Sequence, residues 1–445
     1  MENPGPRLPV EVVERIIDAA ALLPSYDTHL TPRQVHSRYK TLRSCTLLCT
    51  QLHPRSKLHL FQTIILARNG GFTRLNRLLL VLSDYPHLPA LVNTVIVFDK
   101  AVRHDSQSKL TRHDVTRRAI DDARGLVGTR WPGLEDLQPS REGYYAGPES
   151  TLLDAFLGQM LRFLPALRTF RTHVLPTSFD FDANPFQAIP WRRNLDSLPT
   201  HTIVVLELTS VIFRSSRDFV VMLQALRLLR VVRCTQVAWS VHEWQPEWLS
   251  LPHSLALMEL ELNMSDWLLD LPALERNAWA GGIVTALHAS MSSLEKLTLD
   301  EGALQLLCGS SAQSTKSPPE DKFAMTALHT IHLDLDCQYH AVSNIPFLFT
   351  GRLGPMRHLR TLVIDFDPNA VSSVRQAAVA LPSFSSRLED ALCRPTYDAL
   401  ECVVLPLPGR TVRRGRGRAG KERAVWQQLV LDHFPMLHER GVLQC

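Results

Sequence analysis

Nothing in this chain of 445 residues approaches the roughly 20 consecutive apolar residues that span a bilayer, so no membrane-crossing helix is expected. Charge of one sign is missing as well. With 48 basic against 44 acidic residues the net charge is +4, and bulk electrostatics argues for neither a nucleic-acid nor a membrane partner. The eight cysteines, at 45, 49, 234, 308, 337, 393, 402 and 445, are scattered through apolar runs of a long chain, without the density of a disulfide-stapled scaffold. The opening segment is polar and contains proline, so no signal peptide is expected, and a reducing compartment, cytoplasm or nucleus, follows.

Catalytic signatures are equally scarce. GxSxG and HExxH are absent. The nearest approach to a phosphate-binding loop is GRGRAGKE, Gly415 to Glu422, where Glu422 stands in place of the Ser or Thr that would meet magnesium. Cys45, Cys49 and His53 lie at four-residue helical steps, but a closed zinc site takes four ligands and no fourth is near. The expectation is a protein with no cofactor, no metal and no catalytic residues.

What is present is apolar material, 45% of the chain, and it is organised. A pattern of apolar, two others, apolar, one other, apolar recurs: IVVLEL from Ile203, LRVVRC from Leu229, LMELEL from Leu257, LEKLTL from Leu294, LHTIHL from Leu328, LRTLVI from Leu359 and LECVVL from Leu400. Weaker copies are VNTVIV from Val92 and LRTF from Leu167. From Ile203 onward the starts are 26 to 41 residues apart, a loose period. Each copy ends in the alternation of a strand with one buried face, and segments between them, RDFVVMLQAL (Arg217 to Leu226) most clearly, step like helices. One strand and one helix per unit, stacked, predict an α/β solenoid.

The spacing resembles leucine-rich repeats, which implies parallel strands along the concave face of an irregular array. The asparagine or cysteine usual three residues beyond each strand is replaced by Val211, Val237, Ser265, Gly302, Asp336 and Asp367, so no asparagine ladder is expected. If Leu206/Leu208, Leu260/Leu262, Leu297/Leu299, Ile331/Leu333 and Leu362/Ile364 point inward, then Glu207, Glu261, Thr298, Asp300, His332, Asp334 and Asp365 point outward. That mostly acidic row is a candidate substrate-binding surface for a basic segment.

The N-terminus reads differently. RLPVEVVERIIDAAALLP, Arg7 to Pro24, is predicted helical, with Pro9 suited to its first turn and Glu11 and Glu14 near its positive end. Val12, Ile16 and Leu23 form one apolar stripe and Val13, Ile17 and Ala20 a second, wider together than one neighbour covers. Thr41 to Leu66 follows, with a second helix through Leu42, Cys45, Leu48, Cys49 and Leu52 and a third opening at Pro54.

Leu8-Pro9, Val12, Val13, Ile16 and Ile17, then Leu42-Arg-x-Cys45-x-Leu47-x-Cys49, then Pro54-Arg55 and Phe61, together resemble the F-box domain over about the first 65 residues. The whole order is similar to the F-box proteins with irregular repeats that abound in fungi. Ser25 to Tyr39 lengthens the first link, and Leu52 stands where an aromatic is common.

The resemblance implies a short N-terminal helical F-box over 1–65, then a repeat domain over 66–445 with insertions near 100–147, 309–322 and 409–423. It implies docking of a Skp-type adaptor, and through it a cullin, by Leu8, Pro9, Val12, Ile16, Cys45, Cys49 and Pro54, while the repeats hold a protein substrate for ubiquitin transfer. The competing reading is a repeat scaffold whose degenerate F-box meets no adaptor. RTVRRGRGRAGKER, Arg410 to Arg423, has seven basic residues and one acid, and it reads as a solvated loop, a nuclear import signal or a nucleic-acid contact.

Overall fold

The computed structural model describes residues 10–21, 40–44, 53–67, 164–175, 255–263, 325–335, 343–349, 356–366, 373–408 and 416–445, and most of 78–100, 202–241 and 283–309. Leu8, Pro9, Cys45 and Cys49 lie outside these residues, as do nearly all of the expected insertions at 100–147 and 309–322.

Every copy of the apolar pattern becomes a parallel strand of one sheet. Eleven strands follow in sequence order: β1 (Thr63–Ala67), β2 (Thr94–Lys100), β3 (Thr169–Leu175), β4 (Val205–Thr209), β6 (Val231–Thr235), β8 (Glu259–Asn263), β9 (Lys296–Asp300), β10 (Thr330–Leu335), β11 (Thr361–Phe366), β12 (Cys402–Val404) and β13 (Leu443–Gln444). The sheet is open: β1 and β13 are its two ends and do not meet. Beyond β4 and β6 the chain runs on into a second pair of parallel strands, β5 (Ile212–Ser215) and β7 (Ala238–Val241). β1, β5, β7 and β13 fall outside the repeated pattern, and nothing in it predicted them.

The stacking rests on one hydrogen bond repeated along the array. The residue before each strand donates its N–H to the equivalent carbonyl of the preceding unit: Arg168 to Asn93, Val204 to Arg168, Arg230 to Val204, Met258 to Arg230, Glu295 to Met258, His329 to Glu295, Arg360 to His329 and Glu401 to Arg360, all at 2.8–2.9 Å. These backbone groups occupy the two variable positions of the sequence pattern, so the bond constrains no side chain. The apolar positions do the burying. Ile203, Leu229, Leu257, Leu294, Leu328, Leu359 and Leu400 at the turns, and Leu206/Leu208 through Leu362/Ile364 on the strands, are all at most 3% exposed.

Helices close one face of the sheet. In α3 (Ser216–Ala225), Phe219, Met222 and Leu223 bury against it; in α4 (Glu301–Gly309), Leu304 and Leu307 do the same. Helix α4 starts without a loop because Asp300, the last residue of β9, caps it: the Ala303 N–H donates to Asp300 Oδ1 at 2.8 Å.

The C-terminal end is closed by α5 (Val374–Leu392), α6 (Arg416–His433) and α7 (Pro435–Glu439). Trp426 is wholly buried, its indole N–H donates to the Leu405 carbonyl at 3.0 Å, and its ring meets Phe366 edge-on at 5.7 Å. The buried Glu389 carboxylate accepts the Leu437 N–H at 2.9 Å, satisfying a donor in the first turn of α7. Gly441 takes φ 73°, a left-handed turn that returns the chain to pair β13 with β12. Of the expected insertion near 409–423, residues 409–415 lie outside the described residues, and the rest is helix and not an insertion. Once Trp426 and Val430 anchor α6, extending the helix backward costs little per residue, and 416–423 are helical.

Candidate functional site

On the face away from the helices, the outward residues of neighbouring strands are in register: Arg171↔Glu207, Glu207↔Arg233, Arg233↔Glu261, Glu261↔Thr298 and Thr298↔His332. One pleat step before them Glu259 faces Lys296; one step after, Asp300, Asp334 and Asp365 face each other across β9, β10 and β11. All the expected outward residues do lie on this face. The row is not uniformly acidic, however.

Its first half is an ion-pair ladder across five strands. Arg171 Nε stands 2.9 Å from Glu207 Oε2, and Arg233 Nη1 donates to Glu207 Oε1 at 2.8 Å. The same guanidinium reaches Glu259 and Glu261, each at 3.3 Å, and Lys296 Nζ closes on Glu259 at 3.2 Å. Burial works against the Arg233 charge, but the carboxylates of Glu259 and Glu207 outweigh it and its pKa is raised. Glu207 and Glu261, members of the expected mostly acidic row, are thus each ion-paired to Arg233. Arg171, Arg233, Glu259 and Lys296 do not stand out in the leucine pattern. Their signal was the same alternation applied to the adjacent units.

Burial pushes the Glu261 carboxyl up, against the pull of Arg233. A raised acid favours the folded state when protonated, so its contribution is present below the ordinary value of 4.5 and lost as pH rises through the folded pKa. Glu261→Gln should therefore be more stable than the wild type at neutral pH, with the gap closing as pH falls toward 4.5. Thermal melts across that range measure it; a variant less stable at pH 7 contradicts the account.

Beyond the ladder, Asp300 Oδ1 is engaged in capping α4, and Asp365 Oδ1 accepts the Phe366 N–H at 2.8 Å. Burial lowers the pKa of His332, with Asp365 pulling the other way, so the imidazole favours its neutral form. Thr298 Oγ1 and His332 Nε2 are shielded from solvent and have no hydrogen-bond partner.

The N-terminal helices make a second candidate surface. In α1 (Val10–Ala21) Ile17 is buried, and with Leu42 and the half-buried Leu60 of α2 (His53–Gln62) it forms a cluster separate from the main core. Val12 is 41% exposed and Ile17 1%, so on α1 Ile17 faces inward and Val12 faces solvent. Ile16 and Pro54 are placed by backbone alone, in α1 and α2. The two helices are tied by Asp18, which accepts Arg55 Nε and Nη2 at 2.8 Å each and lies 2.8 Å from His59 Nε2. The Arg55 and His59 bonds hold the Asp18 carboxyl far below the usual carboxylate range. Asp18 was not singled out from the sequence, although the Pro54-Arg55 pair was.

Fold and surface together define an α/β array with an open, all-parallel sheet, helices on one face and a charged ladder on the other. No family model matches the chain, and no curated protein is significantly similar to it. Among the described residues no helix is long and apolar enough to cross a membrane, and no group of three or more His, Cys, Asp or Glu side chains is arranged to hold a metal ion.

Proposed function

We propose that this chain is the substrate-recognition subunit of a Skp–cullin–F-box ubiquitin ligase, with an F-box at its N-terminus and leucine-rich repeats behind it. The reading starts from the sequence resemblance, and one structural observation supports it above others. Among the described side chains of the N-terminal helices, Ile17 and Leu42 are buried and pack with Leu60, while Val12 stays exposed on α1. An exposed apolar position on the helix that carries this cluster suits a protein partner. The adaptor surface comprises Leu8, Pro9, Val12, Ile16, Cys45, Cys49 and Pro54. In this reading the chain performs no covalent chemistry and acts by raising the effective concentration of a target lysine near a loaded ubiquitin-conjugating enzyme.

Co-purification with a Skp-type adaptor tests it. The wild type should recover the adaptor, and Val12→Asp, which places a charge in the interface, should lower recovery by about tenfold or more. If the wild type recovers none, and the Leu8→Ala/Pro9→Ala variant changes nothing, the chain is a repeat scaffold with a degenerate F-box.

A further inference from the structure

A cavity of about 320 Å³ lies between the last turn of α3 and the turns that lead into β6 and β8. Leu223, Leu226 and Leu229 wall it from one unit and Leu255, Ala256 and Leu257 from the next, and the five leucines are at most 6% exposed. Its size is at the lower end of the roughly 300–1,000 Å³ of pockets that enclose small organic ligands. Such pockets combine apolar walls with a few convergent polar groups. Leu228 and Met258, the chain neighbours of Leu229 and Leu257, are exposed and add apolar surface next to the lining residues.

Two polar residues complete the lining, Gln224 and Arg227. Gln224 Nε2 is shielded from solvent and hydrogen-bonded to nothing, which is destabilising until something accepts from it. Arg227 is exposed, and among the described residues no carboxylate pairs with it, unlike Arg171 and Arg233. The acceptors of the facing wall are already taken. The Leu255 and Leu257 carbonyls share the Ser293 hydroxyl at 2.9 and 2.8 Å, and the Ala256 carbonyl accepts Arg230 Nη1 at 2.8 Å. The cavity thus offers hydrogen-bond donors and one positive charge beside leucine side chains.

We propose that this cavity binds an aliphatic carboxylate of intermediate chain length, its tail among the leucines and its carboxylate on Arg227 and the Gln224 amide. A carboxylate supplies only acceptors and one negative charge, the complement of what the lining offers. An alcohol lacks the charge, and an amine brings donors that the occupied carbonyls cannot meet. No residue of the N-terminal helices takes part, so the site stands apart from adaptor docking.

Equilibrium dialysis of radiolabelled decanoate against the full chain, below micelle-forming concentrations, tests it. Decanoate should bind saturably, with one molecule per chain. Arg227→Gln should weaken binding by about tenfold or more, the value of a charge-assisted hydrogen bond, and should melt with the wild type because the side chain is exposed. Arg227→Lys, which keeps the charge, should retain most of the affinity, and Ala256→Leu, which fills the cavity, should abolish it. Arg375→Gln, an exposed arginine elsewhere, should bind as the wild type does. Hexanoate should bind at least about tenfold more weakly than decanoate, because each buried methylene adds to affinity. No saturable binding, equal affinity for decanol and decanoate, or unchanged binding by Arg227→Gln overturns the proposal. Binding of a leucine-terminated peptide with a free carboxyl end, without binding of decanoate, also overturns it and assigns the cavity to a protein terminus.

Discussion

Trp426→Ala will unfold the C-terminal end of the array and lower its stability by about 3–5 kcal/mol, the range for removing a fully buried tryptophan. The side chain is 0% exposed, packs edge-on to Phe366 of β11 and satisfies the Leu405 carbonyl at the end of β12. Losing it opens a cavity and leaves a buried acceptor unpaired. Because the units of such an array interact chiefly with their neighbours, the damage should remain local. Hydrogen exchange should rise through α5, α6 and β11–β12, and β4 to β8 should stay protected. Trp426→Phe keeps a ring but not the N–H donor and should cost about 1–2 kcal/mol. A denaturation midpoint for the alanine variant within error of the wild type would falsify the assignment of Trp426 as the anchor of this cap.

Arg233→Ala should be the most damaging change on the open face, at about 2–4 kcal/mol, between the values for exposed and fully buried pairs. Its guanidinium, 20% exposed, is the only described group in contact with Glu207, Glu259 and Glu261 together. Without it, three half-buried carboxylates remain with only Arg171 and Lys296 at the margins. Their folded-state pKa values then rise. By linkage, a raised acid adds stability only where it is protonated, so the deficit should be largest at neutral pH and shrink below about pH 4.5. Arg233→Lys should recover only part of the loss, since an ammonium cannot present the fork that spans three carboxylates. Equal destabilisation at pH 4 and pH 7 would show that packing of the arginine stem, not its charge, accounts for the effect.

The repeated strands are legible in the sequence. Leucine at fixed steps selects a strand because alternation is the only way such spacing buries one face, and seven copies leave little choice but to stack. The candidate site was half legible. Alternation placed Glu207, Glu261, Thr298, Asp300, His332, Asp334 and Asp365 on the open face, where they are, but their partners belong to other units 26 or more residues away. Register between units has no local code. Asp300 shows the limit best: counted as a surface charge, it also caps α4, a role visible only once the helix is seen to begin at the next residue.

By itself the sequence determined the apolar periodicity and the parallel α/β class, because these follow from which side chains avoid water. Only the tertiary structure decided how the units register, and so that Arg233 stands between Glu207, Glu259 and Glu261. It also decided that residues 416–423 of the basic run are helix and that Ile17, not Val12, packs with Leu42 and Leu60. The physical reason is the same in each case. Burial is a property of single residues and is written in their spacing, whereas charge pairing, capping and helix extension depend on which distant segments meet.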